Sequence, residues 1–405
     1  MSLELAQILE KELDSPYQVM IVDDSPVTRG FLIRLLSEDN SIKVVGYARN
    51  GQDAIDKIRI IKPDIVLLDV EMPIMDGLTA LPKILEQYPD ANVIMVSSLT
   101  SSNTKTTLDA LSKGAADCIE KPTSSSDNSE FANKLTSKIK EITTTERSKK
   151  IARLREEAEH SKLEPSKSSN NNSSLESGKI EITHHKKCKD EIVLDTYIHH
   201  KISKGEISLK QGDIVVPKAL AIGASTGGPQ ALASLFENLN EPLDSIPIFI
   251  TLHMPEQFTS FVVQRINQVS KQKCFEAKDG MEVEPGNIYL APGHSHMLVK
   301  KSSNKTVISL DKGEPINFCI PSVDPMFSSL SDCYSGKVLG VMLTGMGQDG
   351  LNGSRYIVDK GGAIIAQDEQ SSVVWGMPGA VAKNGLCSYI APITELADCI
   401  LRVCK

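Results

Sequence analysis

The sequence lacks three things that would assign it to a specialised class. No window reaches the roughly 18 consecutive apolar residues that a membrane-spanning helix needs, so no membrane insertion is expected. There is no Cys-x-x-Cys pair: the eight cysteines, at 118, 188, 274, 319, 333, 387, 399 and 404, are scattered. That pattern argues against a small disulfide-stapled scaffold and fits free thiols in a reducing cytosol. A surplus of positive charge is also missing, since 44 Lys and Arg against 52 Asp and Glu leave a formal net charge of −8. No basic recognition helix follows residue 213, so nucleic acid is not an expected partner. Residues 1–16 read as an N-terminal tail, because Met1-Ser-Leu-Glu-Leu-Ala-Gln-Ile-Leu-Glu-Lys-Glu12 is amphipathic and acidic rather than basic and then apolar. The expectation is a cytoplasmic protein.

What is present suffices for two ordinary domains plus a connector: 405 residues, 40% of them hydrophobic. Over 17–142, strand-like runs at 18–24, 42–48, 64–70, 92–98 and 116–120 alternate with amphipathic stretches. One such stretch runs from Pro26 to Glu38, with Ser25 suited to cap it and Pro26 to open it. This alternation predicts a parallel sheet covered on both faces, with function at the carboxyl ends of its strands. Those ends carry Asp23 and Asp24, then Asp69, Ser97 and Lys121. Three carboxylates converging on one edge repel one another, and a hard divalent cation such as Mg²⁺ is their natural neutraliser. A carboxylate beside such an ion can attack a phosphoryl group, with Lys121 as countercharge and Ser97 as a hydroxyl for the phosphoryl oxygens. Taken singly, each residue has a bland explanation as a cap or a solvated loop; five at matching strand ends do not.

The segment resembles a response-regulator receiver domain, in Val22-Asp-Asp-Ser25, Leu68-Asp-Val-Glu-Met-Pro73, Met75-Asp-Gly77, Met95-Val-Ser97 and Glu120-Lys-Pro122. The resemblance implies a flavodoxin-like domain in which Asp69 accepts phosphate from a chemotaxis histidine kinase. It also implies Mg²⁺ held by Asp23, Asp24, Asp69 and the backbone of Glu71. One position departs from the family's pattern: Cys118 stands where an aromatic is frequent.

From residue 143 the composition changes, and 143–212 reads as a long flexible linker. Glu146 to His160 is dense in charge and could extend a helix, while Ser166-Lys-Ser-Ser-Asn-Asn-Asn-Ser-Ser174 has too little apolar surface to offset its ordering entropy. His184, His185, Cys188, His199 and His200 match no zinc spacing well and read as surface residues.

The second domain, 213–405, is organised around Ala221-Ile-Gly-Ala-Ser-Thr-Gly-Gly-Pro-Gln230, an apolar run from 215 to 222 ending in a small-residue turn before a helical pattern. A phosphate loop, a dinucleotide loop and a turn presenting a nucleophile all share that outline. A phosphate loop needs a lysine after its glycines, and here Pro229-Gln230 follow. A dinucleotide site expects an acidic group at the end of the second strand, where 246–252 leads instead into His253. A third run, 338–344, leads to Asp349. Ser225, His253 and Asp349 thus each follow a buried strand and meet the roles of nucleophile, base and orienting carboxylate. Their chain order differs from that of the common α/β hydrolases, whose histidine comes last.

Residues 218 to about 400 are similar to the catalytic domain of the chemotaxis protein-glutamate methylesterases. The matching pieces are Ile222-Gly-Ala-Ser-Thr-Gly-Gly228, His253-Met-Pro255, Asp279-Gly280, Tyr289-Leu-Ala-Pro-Gly293, Pro321-Ser-Val-Asp324, Leu343-Thr-Gly-Met-Gly-Gln-Asp-Gly350 and Gly376-Met-Pro378. Ile320 stands where that family often has arginine. The resemblance implies a Rossmann-like three-layer domain hydrolysing glutamyl methyl esters on methyl-accepting chemotaxis receptors, with glutamine deamidation as a second activity. It implies no cofactor for the esterase reaction. Thr226 and Met346 are the candidate oxyanion donors. The alternatives are a receiver fused to a catalytically silent receptor-binding module, which an intact triad opposes, and a DNA-binding regulator, which the missing recognition helix opposes.

Overall fold

Val19 to Val22 and Ile65 to Leu68 are apolar at every position, with no polar alternation, and all eight are buried. Only a strand covered on both faces wants that composition. In the computed structural model, which describes residues 15–97, 109–122, 128–160, 191–192, 207–210, 212 and 214–404, they form the centre of a five-stranded sheet. Its strands are β1 (Tyr17–Val22), β2 (Ile42–Ala48), β3 (Ile65–Asp69), β4 (Asn92–Ser97) and β5 (Asp117–Glu120), in the order β2-β1-β3-β4-β5. All four pairings are parallel. Helices α1 (Pro26–Ser37), α2 (Gly51–Ile61) and α3 (Gly77–Gln87) start where short polar side chains cap them. Ser25 accepts from the Thr28 amide, Asn50 from Asp53 and Asp76 from Thr79, at 3.3, 2.9 and 2.7 Å. Such caps contribute about 1 kcal/mol each. This is the flavodoxin-like order, whose ligand crevice lies where β1 and β3 diverge.

Helix α4 (Asn128–His160) is 33 residues long and runs straight through position 143, where a flexible linker was expected to begin. Phe131, Leu135, Ile139 and Ile142 recur at helical spacing and join the apolar cluster of Val19, Ile21, Ile65 and Leu67. Two charged side chains in the turns that follow, Arg147 and Lys149, are also buried. Arg147 donates to the carbonyls of Ser15 and Pro16 at 2.6 and 3.1 Å and to Asp64 at 3.0 Å. Lys149 donates to Glu146 and to the Ser372 carbonyl of the second domain, both at 2.6 Å. A charge-dense helix reads as solvated from sequence because its partners lie far away in the chain. His184, His185, Cys188, His199 and His200 lie outside the described residues. The short strands β6 (Glu191–Ile192) and β7 (Ile214–Val215) pair antiparallel.

The second domain is built on β8 (Ala219–Ala224), separated from β7 by Val216, Pro217 and Lys218, so the single expected run is two strands. It is followed by α5 (Gly228–Asn238), β9 (Ile248–Leu252), α6 (Glu256–Val269), β10 (Lys273–Glu276) and β11 (Asn287–Leu290). An antiparallel hairpin, β12 (His296–Ser302) with β13 (Lys305–Asp311), comes next. The chain then continues through α7 (Val323–Cys333), β14 (Val338–Met342), α8 (Leu351–Asp359), β15 (Ala363–Gln367), α9 (Gly376–Lys383), β16 (Cys387–Ala391) and α10 (Ile393–Cys404). The seven-stranded sheet has the order β10-β11-β9-β8-β14-β15-β16, and its pairings are parallel. Alternate residues of β8 serve different layers. Leu220 and Ile222 share a cluster with Leu232 and Phe236 of α5 and Ile400 of α10, while Ala219 and Ala221 share one with Phe327 of α7 and Val381 of α9. The chain leaves β8 on one side, to β9, and returns on the other, to β14. That reversal makes a switch point at their carboxyl ends, where doubly wound sheets place their sites. Among the described residues no helix is long and apolar enough to cross a membrane.

Candidate active site and receiver site

The turn after β8 is held by its own backbone. The Ser225 amide donates to the Thr344 carbonyl at 3.0 Å and the Gly228 amide to the Ser225 carbonyl at 2.7 Å. Gly227 takes φ 75°, a left-handed conformation that glycine adopts without strain. The loop after β14 comes so close that a Cβ on Gly345 would sit 2.9 Å from Cβ of Ser225. The His253 amide donates to the Ala224 carbonyl at 3.1 Å, which carries the end of β9 to the same place.

His253 and Asp349 meet there, with Nε2 at 2.8 Å from Oδ2. Asp349 is buried and both its oxygens are saturated. Oδ1 accepts from Asn317 Nδ2 at 2.8 Å and the Ser322 hydroxyl at 2.7 Å; Oδ2 accepts from the Val323 amide at 2.6 Å as well as facing His253. Burial alone would raise its pKa, but the bond from His253 and those from Val323 and Ser322 outweigh it and hold the carboxyl down at about 2. For His253 burial opposes the charged ring, yet Asp349 and the Cys319 thiol push it up to about 9. With Nε2 committed to Asp349, the remaining ring nitrogen is Nδ1, which faces Cys319 Sγ at 3.6 Å. Ser225 is half-buried, and its hydroxyl has no hydrogen-bond partner among the described residues. His253, Cys319 and Asp349 bring donor atoms within 4.8 Å of one another, but the four hydrogen bonds on Asp349 make this an orienting network rather than a vacant ligand set. Reasoning from sequence did not single out Asn317, Cys319 or Ser322; only the run Pro321-Ser-Val-Asp324 signalled that segment.

The candidate oxyanion residues lie beside Ser225, under the first domain. The amides of Thr226 and Met346 donate to no group among the described residues. The Thr226 hydroxyl donates to Asp117 Oδ2 at 2.7 Å, and Lys138 bridges to the same carboxylate. Met346 and Val373 pack on the cluster that contains Phe131, Leu135 and Ile139. The neighbouring Gly347 amide donates to Glu141 Oε2 of α4 at 3.1 Å, and the Trp375 amide to Thr145 Oγ1 at 3.3 Å. Gln230 donates to the carbonyls of Leu111 and Ala115 at 3.0 and 2.7 Å, and Gln257 to Glu120 at 2.8 Å. The receiver-like domain and α4 therefore cover the edge that holds Ser225.

At the other sheet, Asp23, Asp24 and Asp69 bring carboxylate oxygens within 4.8 Å of one another. Lys121 bridges two of them, at 2.9 Å from Asp23 and 2.8 Å from Asp69. Burial raises Asp69; Lys121 opposes it, but with the charge of Asp23 added the carboxyl stands at about 6. One lysine does not neutralise this cluster, as expected of a site built for a divalent cation. Ser97 is buried at the end of β4, and its carbonyl accepts from the Lys121 amide at 2.8 Å. Glu71 lies in the exposed loop after β3.

The family described as response regulator receiver domain matches residues 19–132, and the family described as CheB methylesterase matches 220–400. A receiver domain implies a Mg²⁺-binding phosphorylation site. A protein-glutamate methylesterase/protein-glutamine glutaminase of Rhodopseudomonas palustris (strain BisB5) is 39% identical over 391 residues, 96% of this chain and 94% of the relative. One from Rhodospirillum rubrum is 38% identical and covers 99% of both chains. The crystal structure of the Thermotoga maritima CheB methylesterase catalytic domain is 37% identical, covers 47% of this chain and 100% of that one, and superposes with a TM-score of 0.44. With likeness of that extent over nearly the whole chain, and both domains in the same order, this protein belongs to the family of CheB-type protein-glutamate methylesterases/protein-glutamine glutaminases.

Proposed function

We propose that this chain hydrolyses γ-glutamyl methyl esters on methyl-accepting chemotaxis receptors, releasing methanol, and deamidates receptor glutamines at the same site. The observation that carries this reading is the His253–Asp349 pair, 2.8 Å apart, beside the Ser225 turn at a topological switch point. With Nε2 on Asp349, Nδ1 is the atom that takes the Ser225 proton as the hydroxyl attacks the ester carbonyl. The tetrahedral oxyanion is held by the amides of Thr226 and Met346. His253 then protonates the departing methoxide, and water activated by the same ring hydrolyses the acyl-enzyme to glutamate. A glutamine follows the same course and loses ammonia. Asp349 holds the ring and stabilises the imidazolium formed between steps. This route is carried by Ser225, His253 and Asp349 and invokes no cofactor.

Control resides in the first domain. Asp69 accepts phosphate from a histidine kinase; Asp23, Asp24, Asp69 and the Glu71 carbonyl would hold Mg²⁺, which would supply charge neutralisation there. Ser97 and Lys121 receive the phosphoryl oxygens. Strand β5 connects this event to the esterase site, because Lys121 follows it directly while Glu120 and Asp117 bond Gln257 and Thr226. New charge on Asp69 redirects Lys121 and biases the docked arrangement toward release. The test is methanol release from methylated receptor membranes with and without a small phosphodonor. Equal rates for wild type and Asp69→Asn in both conditions would remove the regulatory reading, and release by Ser225→Ala at the wild-type rate would remove the catalytic one.

A further inference from the structure

Phe318 is the most exposed large apolar residue described, at 101% of its reference area, and it sits within one residue of two groups in the active-site network. It occupies the tip of a two-residue turn closed by reciprocal bonds, Ile316 amide to Cys319 carbonyl at 3.2 Å and Cys319 amide to Ile316 carbonyl at 2.9 Å. Asn317 and Phe318 both take positive φ, 52° and 63°. A turn with both central residues left-handed favours Asn followed by Gly. Asn317 fits; a phenylalanine in the second place is a conformational outlier. Among the described residues the ring packs on nothing.

The base of the same turn is fixed to the catalytic groups. Asn317 Nδ2 donates to Asp349 at 2.8 Å and to Asp324 at 2.9 Å, and Cys319 Sγ lies 3.6 Å from His253 Nδ1. The tip is thereby anchored beside His253 and Asp349, the groups assigned to serve Ser225. Half-exposed Ile316 (39%) widens the apolar surface beside it. Strain kept at a tip anchored to an active site is the mark of a functional constraint.

We propose that Phe318 is a specificity-determining contact that docks on an apolar side chain of the substrate protein flanking the modified glutamate. It rests on the methylesterase reading above and adds the part of the substrate that is recognised. The ring stays presented while the receiver covers Ser225, so it serves encounter with the substrate protein rather than the chemical step.

The test uses the full chain with a phosphodonor and graded concentrations of methylated receptor membranes, comparing wild type, Phe318→Gly, Phe318→Ala and Phe318→Tyr. Labelling of Ser225 by a small serine-directed fluorophosphonate serves as the receptor-independent readout. Phe318→Gly suits the left-handed φ, so its thermal midpoint should equal or exceed that of wild type. The expected result is a KM for receptor raised about tenfold in the Gly and Ala variants, with kcat and labelling rate unchanged and Phe318→Tyr close to wild type. An unchanged KM overturns the proposal. So does a labelling rate that falls in parallel with receptor turnover, since the ring would then be supporting the site. Absence of methanol release by wild type, with Ser225 still labelled, would remove the methylesterase reading and this proposal with it.

Discussion

Two aspartates at the carboxyl ends of two parallel sheets have been given opposite environments. Asp349 is buried with four hydrogen bonds on its two oxygens and is held at about 2. Asp69 is buried with one lysine, shared with Asp23, and the Val70 amide at 2.8 Å, and stands at about 6. The difference follows the work proposed for each. A carboxylate that orients a histidine must be charged, immobile and unreactive, so every lone pair is occupied. One that receives a phosphoryl group beside a cation must keep lone pairs free, and the protein accepts the electrostatic cost of leaving them so.

The same substitution at the two sites breaks this comparison most sharply. Asp349→Asn keeps the shape but presents the wrong group to Nε2, and receptor methanol release should fall by about 10⁴-fold, as in other triads. Asp69→Asn should instead abolish the increase in turnover given by a phosphodonor. A loss in Asp349→Asn no larger than tenfold would mean that the saturated carboxylate is structural.

Next in size is the clasp between the sites. Glu141→Gln weakens the bond on the Gly347 amide, and Asp117→Asn removes the charge shared by Lys138 and Thr226. Charge-assisted bonds contribute about 1.5–3 kcal/mol, so phosphodonor-free turnover should rise roughly tenfold in either variant. Unchanged basal rates would show that the docked domain does not limit access.

The smallest effect is in pH dependence. His253 is raised to about 9 from an unfolded value near 6.5. Its pairing with Asp349 therefore stabilises the fold fully below about 6.5 and loses that contribution as pH rises through about 9. The gap in denaturation midpoint between wild type and Asp349→Asn should narrow over that window. Turnover should climb over the same range as the neutral base accumulates.

The strand ends were legible because continuous apolar runs stop abruptly at polar residues. Asp23, Asp69, Ser225, His253 and Asp349 could be placed from that pattern and the topology rule alone. The environment of those residues was not. Asn317, Cys319 and Ser322 reach Asp349 and His253 from a loop with no periodic signal, and their choice of partner exists only in three dimensions. The helical continuation of α4 over 146–160 was allowed for, but its packing was hidden for the same reason: Arg147 and Lys149 find their partners, Asp64 and the Ser372 carbonyl, only in three dimensions. Thr226 was singled out only as a candidate oxyanion donor, whereas its hydroxyl bonds Asp117 in the other domain.

The most direct measurement is methanol release from methylated receptor membranes by wild type and Ser225→Ala, each with and without a small phosphodonor. Wild type should release methanol and do so faster with the phosphodonor, while Ser225→Ala, folded as judged by an unchanged thermal midpoint, should be slower by about a thousandfold or more in both conditions. Release by Ser225→Ala near the wild-type rate would contradict the assignment of this edge as the esterase site.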